Sequence, residues 1–144
     1  MTGAIIGDIV GSRFEFNNRK SKNFTFFTPQ CFFTDDTVLS IATMKAILEN
    51  PQSPNYRKHY LEAYKKYPRA GYGASFVDWA LGEIDNSKGY NSMANGAAMR
   101  LSFIPAYYDN YITMLKHTAA STRTTHNHVE AIKNSMILST CIWM

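Results

Sequence analysis

At 144 residues, with 45% hydrophobic and 18% charged side chains, the chain has the length and composition of one packed globular unit and not of a disordered or fibrous polymer. Two cysteines, Cys31 and Cys141, are too few for a disulfide scaffold or a thiolate zinc site, and their apolar neighbours point to free buried thiols in a reducing compartment, the cytoplasm. The formal charge of +4 draws on Arg13, Arg19, Lys20 and Lys22 and on Arg57, Lys58, Lys65, Lys66 and Arg69, which read as solvated faces, with no specific nucleic-acid partner expected.

The first segment, MTGAIIGDIVG, carries Asp8 in its middle and has no basic lead, so it resembles neither a signal peptide nor a membrane span. Its Gly3, Gly7 and Gly11 recur every four residues, which on a helix makes a bare stripe suited to close approach by another helix. The spacing is not a phosphate loop, because no Gly-Lys-Ser/Thr follows. On such a helix Asp8 is expected to hydrogen-bond the backbone of a neighbouring loop. The stretch NFTFFTPQCFF is the one place with strand-like alternation.

From Thr34 onward, Val38, Leu39, Ile41, Ala42, Ala46 and Ile47 cover more than one face of a helix, so that helix is central and buried, ending at Asn50-Pro51. Ser53-Pro54 is expected to open a third helix, with Tyr60, Leu61, Tyr64 and Tyr67 on its apolar side and Pro68 as its stop. The loop RAGYGAS leads to a short helix bearing Phe76 and Trp79, and YNSMANGAAMR leads to LSFIPAYY. A helix near 112–120 follows, then STRTTHNH and a last helix, with Thr125 as its cap and His126 in its first turn. The fold class expected is all-α, a single domain over 1–144.

The chemistry concentrates in FTDDT, residues 33–37. A helix start favours one carboxylate or hydroxyl as a cap, because the first N–H groups lack partners and the helix dipole attracts negative charge. Two adjacent carboxylates repel unless a cation lies nearby, and a hard divalent ion takes the oxygen ligands that Thr34, Asp35 and Asp36 offer. Both readings stand on the triplet alone. His128, two residues beyond His126, has no third partner for zinc and reads as a polar side chain facing solvent. Arg100 suits either a phosphate contact or a buried ion pair.

In order, GAIIGDIVGSRFEF, FTDDTVLSIA, GYGASF, NGAAMR and TTHNHVEAI together resemble the ADP-ribosylglycohydrolase family, over about residues 3–135. The resemblance implies an all-α globule of that family's type, whose central cleft holds two Mg²⁺ or Mn²⁺ ions and accepts the ADP-ribose half of a modified protein or small conjugate. It makes Thr34, Asp35 and Asp36 metal ligands and Glu15 the proton-transfer group, with Asp35 shared between metal and catalysis. Gly71, Gly73, Asn95, Gly96 and His126 become substrate-lining residues. Glycosidic cleavage at ribose needs a stabilised oxocarbenium-like centre and an activated water, which metals and a carboxylate provide.

The chain departs from the family in one respect. Members are usually about twice this length, and the second metal motif, Asp-x-Asp-Thr/Ser, has no counterpart here, since Asp78, Asp85 and Asp109 stand alone. Two expectations follow. The chain is a truncated piece, or it completes its core and site by self-association or with a partner chain; the apolar end ILSTCIWM favours association. The alternative function is a non-catalytic ADP-ribose binder or a crystallin-like structural protein on the same scaffold. A metal-dependent phosphohydrolase is disfavoured, because no phosphate loop or histidine-aspartate cluster is present.

Overall fold

The computed structural model describes residues 1–144 and contains helices but no strand, as the all-α expectation required. Seven α-helices follow in order: α1 (Thr2–Gly11), α2 (Asp35–Glu49), α3 (Tyr56–Lys66), α4 (Ala74–Leu81), α5 (Phe103–Tyr107), α6 (Tyr111–Arg123) and α7 (Val129–Trp143). A 3-10 turn, Ser12–Phe14, extends α1, and a 3-10 segment, Asn95–Arg100, precedes α5. No helix is long and apolar enough to cross a membrane.

Helix α2 is the central element. Thr34 caps it in an extended conformation, its hydroxyl accepting the Asp36 N–H, and Asp35 and Asp36 occupy the positive end of the dipole. Its buried residues run from Thr37 to Ile47 on several faces, and it packs against α1, α3, α5 and the 3-10 segment. The core around it gathers Leu39, Ala46, Ile47, Tyr60, Phe76, Trp79, Leu101, Ile104 and Met114. Helices α6 and α7 pack together as a second layer, joined through buried hydroxyls such as Thr118, which donates to Ser139 at 3.0 Å.

Several expectations about segment ends are corrected. Asn55, not Ser53, caps α3, its side chain accepting the Lys58 N–H, because Ser53 is drawn into the preceding turn by donating to Asn50 Oδ1. The last helix starts at Val129, capped by His128, whose Nδ1 accepts the Glu130 N–H at 3.1 Å. Thr125 and His126 instead belong to the turn that closes α6, where His126 N–H donates to Thr122 O. Residues 15–33 form bends and turns in place of a strand. The Arg13 guanidinium organises that loop by lying 4.5 Å from the Phe14 ring centroid and donating to Thr28 Oγ1 and the Thr25 carbonyl.

The glycine stripe of α1 is not a packing face within this chain. A Cβ built on Gly3, Gly7 or Gly11 meets nothing within 4 Å. Only Val10 of α1 is buried, and what holds the helix is a polar anchor, Asp8. The thiols are free, but neither is buried as expected: Cys31 is half-exposed and accepts the Thr28 N–H, and Cys141 is exposed on α7.

Candidate functional site

The site begins with Asp8, reached from α2 by four hydrogen bonds. Its carboxylate accepts from Thr34 N (2.8 Å), Thr34 Oγ1 (2.6 Å), Thr37 N (3.2 Å) and Thr37 Oγ1 (2.5 Å). Charge-assisted bonds of this kind tie α1 to the N-terminus of α2, which is the structural role expected of Asp8. They also explain Thr34, which is buried beneath the surface with its proton committed to Asp8.

Two loops then close on the same helix end. Asp35 N–H donates to Ala70 O at 2.7 Å, which brings the Gly71 turn alongside. Gly71 has φ +94, a conformation that side-chain-bearing residues rarely adopt, and its missing Cβ would lie 3.8 Å from Asp35 Oδ1. Gly73 caps α4 without a side chain, so the first-turn N–H groups of Ala74 and Ser75 have no intrahelical partner. Across the cleft, the 3-10 segment presents Asn95 and Gly96, and the turn after α6 presents His126. A Cβ on Gly96 would come within 3.1 Å of His126 Cε1 and Nε2, so glycine there permits the histidine's approach.

The result is one cleft of about 390 Å³ lined by Glu15, Asp35, Asp36, Gly71, Gly73, Asn95, Gly96 and His126. Thr34 is the one sequence-derived candidate behind the wall. Phe76, Tyr90, Ser75 and Ser92 also line it and were not foreseen. Tyr90 stands in a polar loop whose position is set by Tyr90 N–H donating to Thr125 O at 2.8 Å, a contact between segments distant in sequence. Gly89 beside it lies so close to the Arg123 and Thr125 carbonyls that a Cβ would sit 2.7 Å and 2.8 Å from them. The sequence around Gly89, SKGYN, carries no pattern that announces such a contact.

Charge is the cleft's distinguishing property. The charges of Asp8 and Glu15 lie close enough to raise the proton affinity of Asp35 and Asp36, and none of the four forms an ion pair. Burial, then the neighbouring Asp36 charge, pushes the Asp35 carboxyl up to about 7, from the usual 3.8. Burial and then Asp8 raise Asp36 as well. These carboxylates lack a cation within the chain. Asp35, Asp36 and the Thr34 oxygen are all hard donors, which fits a hard divalent ion whose remaining ligands are water. No three His, Cys, Asp or Glu side chains converge as a cation cage, so the donors present suit one ion more readily than two.

On the opposite wall His126 is 4% exposed, and its ring centroid lies 5.4 Å from that of Tyr90. Burial and then the Arg100 charge push its pKa down to about 4, so the ring is neutral. Burial likewise pushes Tyr90 up to about 12. Arg100 is completely buried and forms no ion pair, contrary to the reading of a buried ion pair, and it lies behind the cleft lining. Its Nη2 donates to Ser121 O (3.2 Å) and Thr125 Oγ1 (2.6 Å), and the guanidinium carbon lies 4.1 Å from the Tyr60 ring centroid. Buried cations tolerate such a site when hydroxyls, carbonyls and an aromatic face replace water.

The same arrangement of sequence recurs in known proteins. An ADP-ribosyl glycohydrolase, provisionally so named, from Acanthamoeba polyphaga mimivirus is 29% identical over 95% of this chain and 47% of its own length. ADP-ribosylhydrolase ARH3 of Xenopus tropicalis is 25% identical, and the Homo sapiens protein of that name 26%, each over 88% of this chain and 43% of its own length. The chain thus spans about half the length of these curated relatives. The ADP-ribosylglycohydrolase family profile matches residues 1–144, the full extent of the chain, which therefore belongs to the ADP-ribosylglycohydrolase family.

Proposed function

We propose that this chain supplies one half of a metal-dependent hydrolytic site that releases ADP-ribose from a modified protein side chain or a small conjugate. The observation that carries this reading is the unpaired group of carboxylates in the cleft, with Asp35 pushed up to about 7 by burial and then by the neighbouring Asp36 charge. Thr34, Asp35 and Asp36 hold Mg²⁺ or Mn²⁺, and the ion when bound supplies Lewis-acid stabilisation and a more acidic water.

The chain's own residues perform the rest. The Gly71 turn and the free N–H groups at the start of α4 receive the diphosphate, since unsatisfied helix N–H groups favour anions. His126 and Asn95 orient the ribose from the facing wall, and Phe76 and Tyr90 offer apolar surface for the nucleoside. Glu15 takes a proton from water as its oxygen bonds to the anomeric carbon. The glycosidic bond to the acceptor nitrogen or oxygen breaks, and the acceptor leaves with a proton. A second ion needs carboxylates from outside residues 1–144.

The absence of a converging three-ligand cage favours one rival, an ADP-ribose binder without turnover. Both are tested by titrating Mg²⁺ and Mn²⁺ calorimetrically into the protein and into an Asp35→Ala/Asp36→Ala variant, then adding ADP-ribose and an ADP-ribosylated peptide. Saturable metal binding lost in the variant, with peptide cleavage, supports the hydrolase. Thermal stabilisation by ADP-ribose without cleavage supports the binder. Absence of metal binding by the unaltered protein overturns the metal reading.

A further inference from the structure

Arg100 is an unusual occupant of a protein interior: fully buried, without a carboxylate, and set behind the cleft wall instead of in it. Its contacts have a direction. A guanidinium can only donate, so at the 2.6 Å contact with Thr125 Oγ1 the threonine oxygen is the acceptor. Thr125 has a single hydroxyl proton, and its other close side-chain partner is His126 Nδ1 at 2.8 Å. The guanidinium occupies one of the two acceptor lone pairs of Oγ1 and polarises its O–H, which favours donation of that proton to Nδ1. Nδ1 then carries a lone pair, and the imidazole proton resides on Nε2.

Nε2 makes no hydrogen bond within the protein, and it faces Gly96 in the cleft lining. We infer that Arg100, acting through Thr125, is a positioning residue that locks His126 as the neutral Nε2–H tautomer and presents that proton to the cleft as a hydrogen-bond donor.

The consequence for ligand chemistry is definite. A ring locked this way offers no lone pair to the cleft, so His126 neither ligates a cation through Nε2 nor acts there as a general base. It recognises an acceptor oxygen, of a hydroxyl or a diphosphate, as the proposed function requires of the wall opposite the carboxylates. The guanidinium's positive charge, close to the ring, also opposes formation of imidazolium, in the same sense as the lowered pKa. Gly89 supports the relay mechanically, because only its bare Cα lets residues 88–90 pack on the carbonyls of Arg123 and Thr125.

The role of His126 toward ADP-ribose rests on the proposed function, but the relay does not, and the test separates them. Long-range ¹H–¹⁵N spectra of metal-free, ¹⁵N-histidine-labelled protein at neutral pH are expected to show His126 as the Nε2–H tautomer. Thr125→Ser, which keeps the hydroxyl, retains that pattern, and Thr125→Val, which removes the donor, shifts the ring toward a mixture of tautomers. An Nδ1–H tautomer or an imidazolium in the unaltered protein overturns the relay, as does an unchanged tautomer in folded Thr125→Val. Should Thr125→Val fail to fold, folded Arg100→Gln serves instead: a shifted tautomer population supports the relay and an unchanged one overturns it. ADP-ribose added afterwards reads the proposed function alone. A shifted Nε2 proton supports substrate contact, and an unmoved one counts against it while leaving the relay in place.

Discussion

Two hollows flank the start of α2, and they are nearly opposites in chemistry. The cleft takes Asp35, Asp36 and Leu39 from the helix and adds loops rich in glycine. The groove, about 320 Å³, takes Thr37, Val38, Ile41, Ala42 and Lys45 from neighbouring positions and adds Phe33, Tyr67 and the α3 residues His59, Glu62, Ala63 and Lys66. Successive residues on a helix point about 100° apart, so one short stretch of sequence serves both. The groove has an apolar floor, and its polar rim carries charges of both signs: His59 lies 3.8 Å from Glu62, with Lys45 and Lys66 nearby. The cleft is smaller in apolar surface but holds half-buried charge of one sign. Apolar lining alone marks the groove; half-buried carboxylates without a counter-charge and close backbone approach mark the cleft, which is also the larger of the two, and only these suggest chemistry.

The sharpest break in this contrast comes from the carboxylates. Asp35→Ala/Asp36→Ala is expected to weaken divalent-ion affinity by more than about 100-fold, whereas Lys45→Ala/Lys66→Ala in the groove leaves it unchanged; calorimetry on both variants decides. A loss shared equally by the two would mean that general charge, not the cleft, attracts the ion.

Next in size is the support behind the cleft. Gly89→Ala places a Cβ 2.7 Å from the Arg123 carbonyl, a backbone atom that cannot swing aside. A loss of about 2–4 kcal/mol in chemical denaturation is expected, on the scale of other overpacked positions. Asp8→Ala removes four hydrogen bonds to the start of α2 and is expected to cost about 2–3 kcal/mol. It also lowers the Asp36 pKa, because Asp8 is one of the charges raising it.

A pH experiment sharpens the comparison within the cleft. In metal-free protein the Asp35 carboxyl titrates near 7 when folded against the usual 3.8, so its contribution to stability is present below 3.8 and lost as pH rises through 7. His126 runs the other way: lowered to about 4 from 6.5, it contributes stability above 6.5 that is lost as pH falls through 4. The two slopes oppose each other between about 4 and 7. Asp35→Asn should therefore expose the histidine's slope, with melting temperature falling on acidification more steeply than in the unaltered protein. Parallel curves would show that Asp35 is not perturbed, because the histidine's slope is common to both proteins. The smallest effect belongs to the exposed Lys58–Glu49 pair on α3 and the end of α2, where Lys58→Ala is expected to leave thermal stability without measurable change, since an exposed ion pair is screened by water.

Much of this molecule was legible before any coordinate. Apolar periodicity announced α2 and its centrality, since residues buried on several faces leave a pattern along one helix. The Thr34, Asp35, Asp36 triplet could be read both as cap and as cation ligand, and the geometry is compatible with both: Thr34 caps, and the carboxylates face the cleft. Gly71 and Gly96 were singled out by the resemblance; both line the cleft, and a Cβ on Gly96 would come within 3.1 Å of the His126 ring.

What the chain order concealed are relations between residues that are far apart along it. The glycines of α1 predict a neighbour that this chain does not bring, because a repeat can specify a flat face but not what covers it. The cap of α7 moved from Thr125 to His128 because Thr125's hydroxyl is engaged by Arg100, 25 residues earlier, a competition no local rule contains. The direction of the Arg100, Thr125 and His126 hydrogen bonds, and with it the proton that His126 shows to the cleft, depends on three side chains meeting in space. Sequence by itself determined which residues are able to hold charge, cap a helix or leave room for a backbone. Tertiary structure decided which of those capacities are used, because burial and hydrogen-bond partners are properties of neighbours in space.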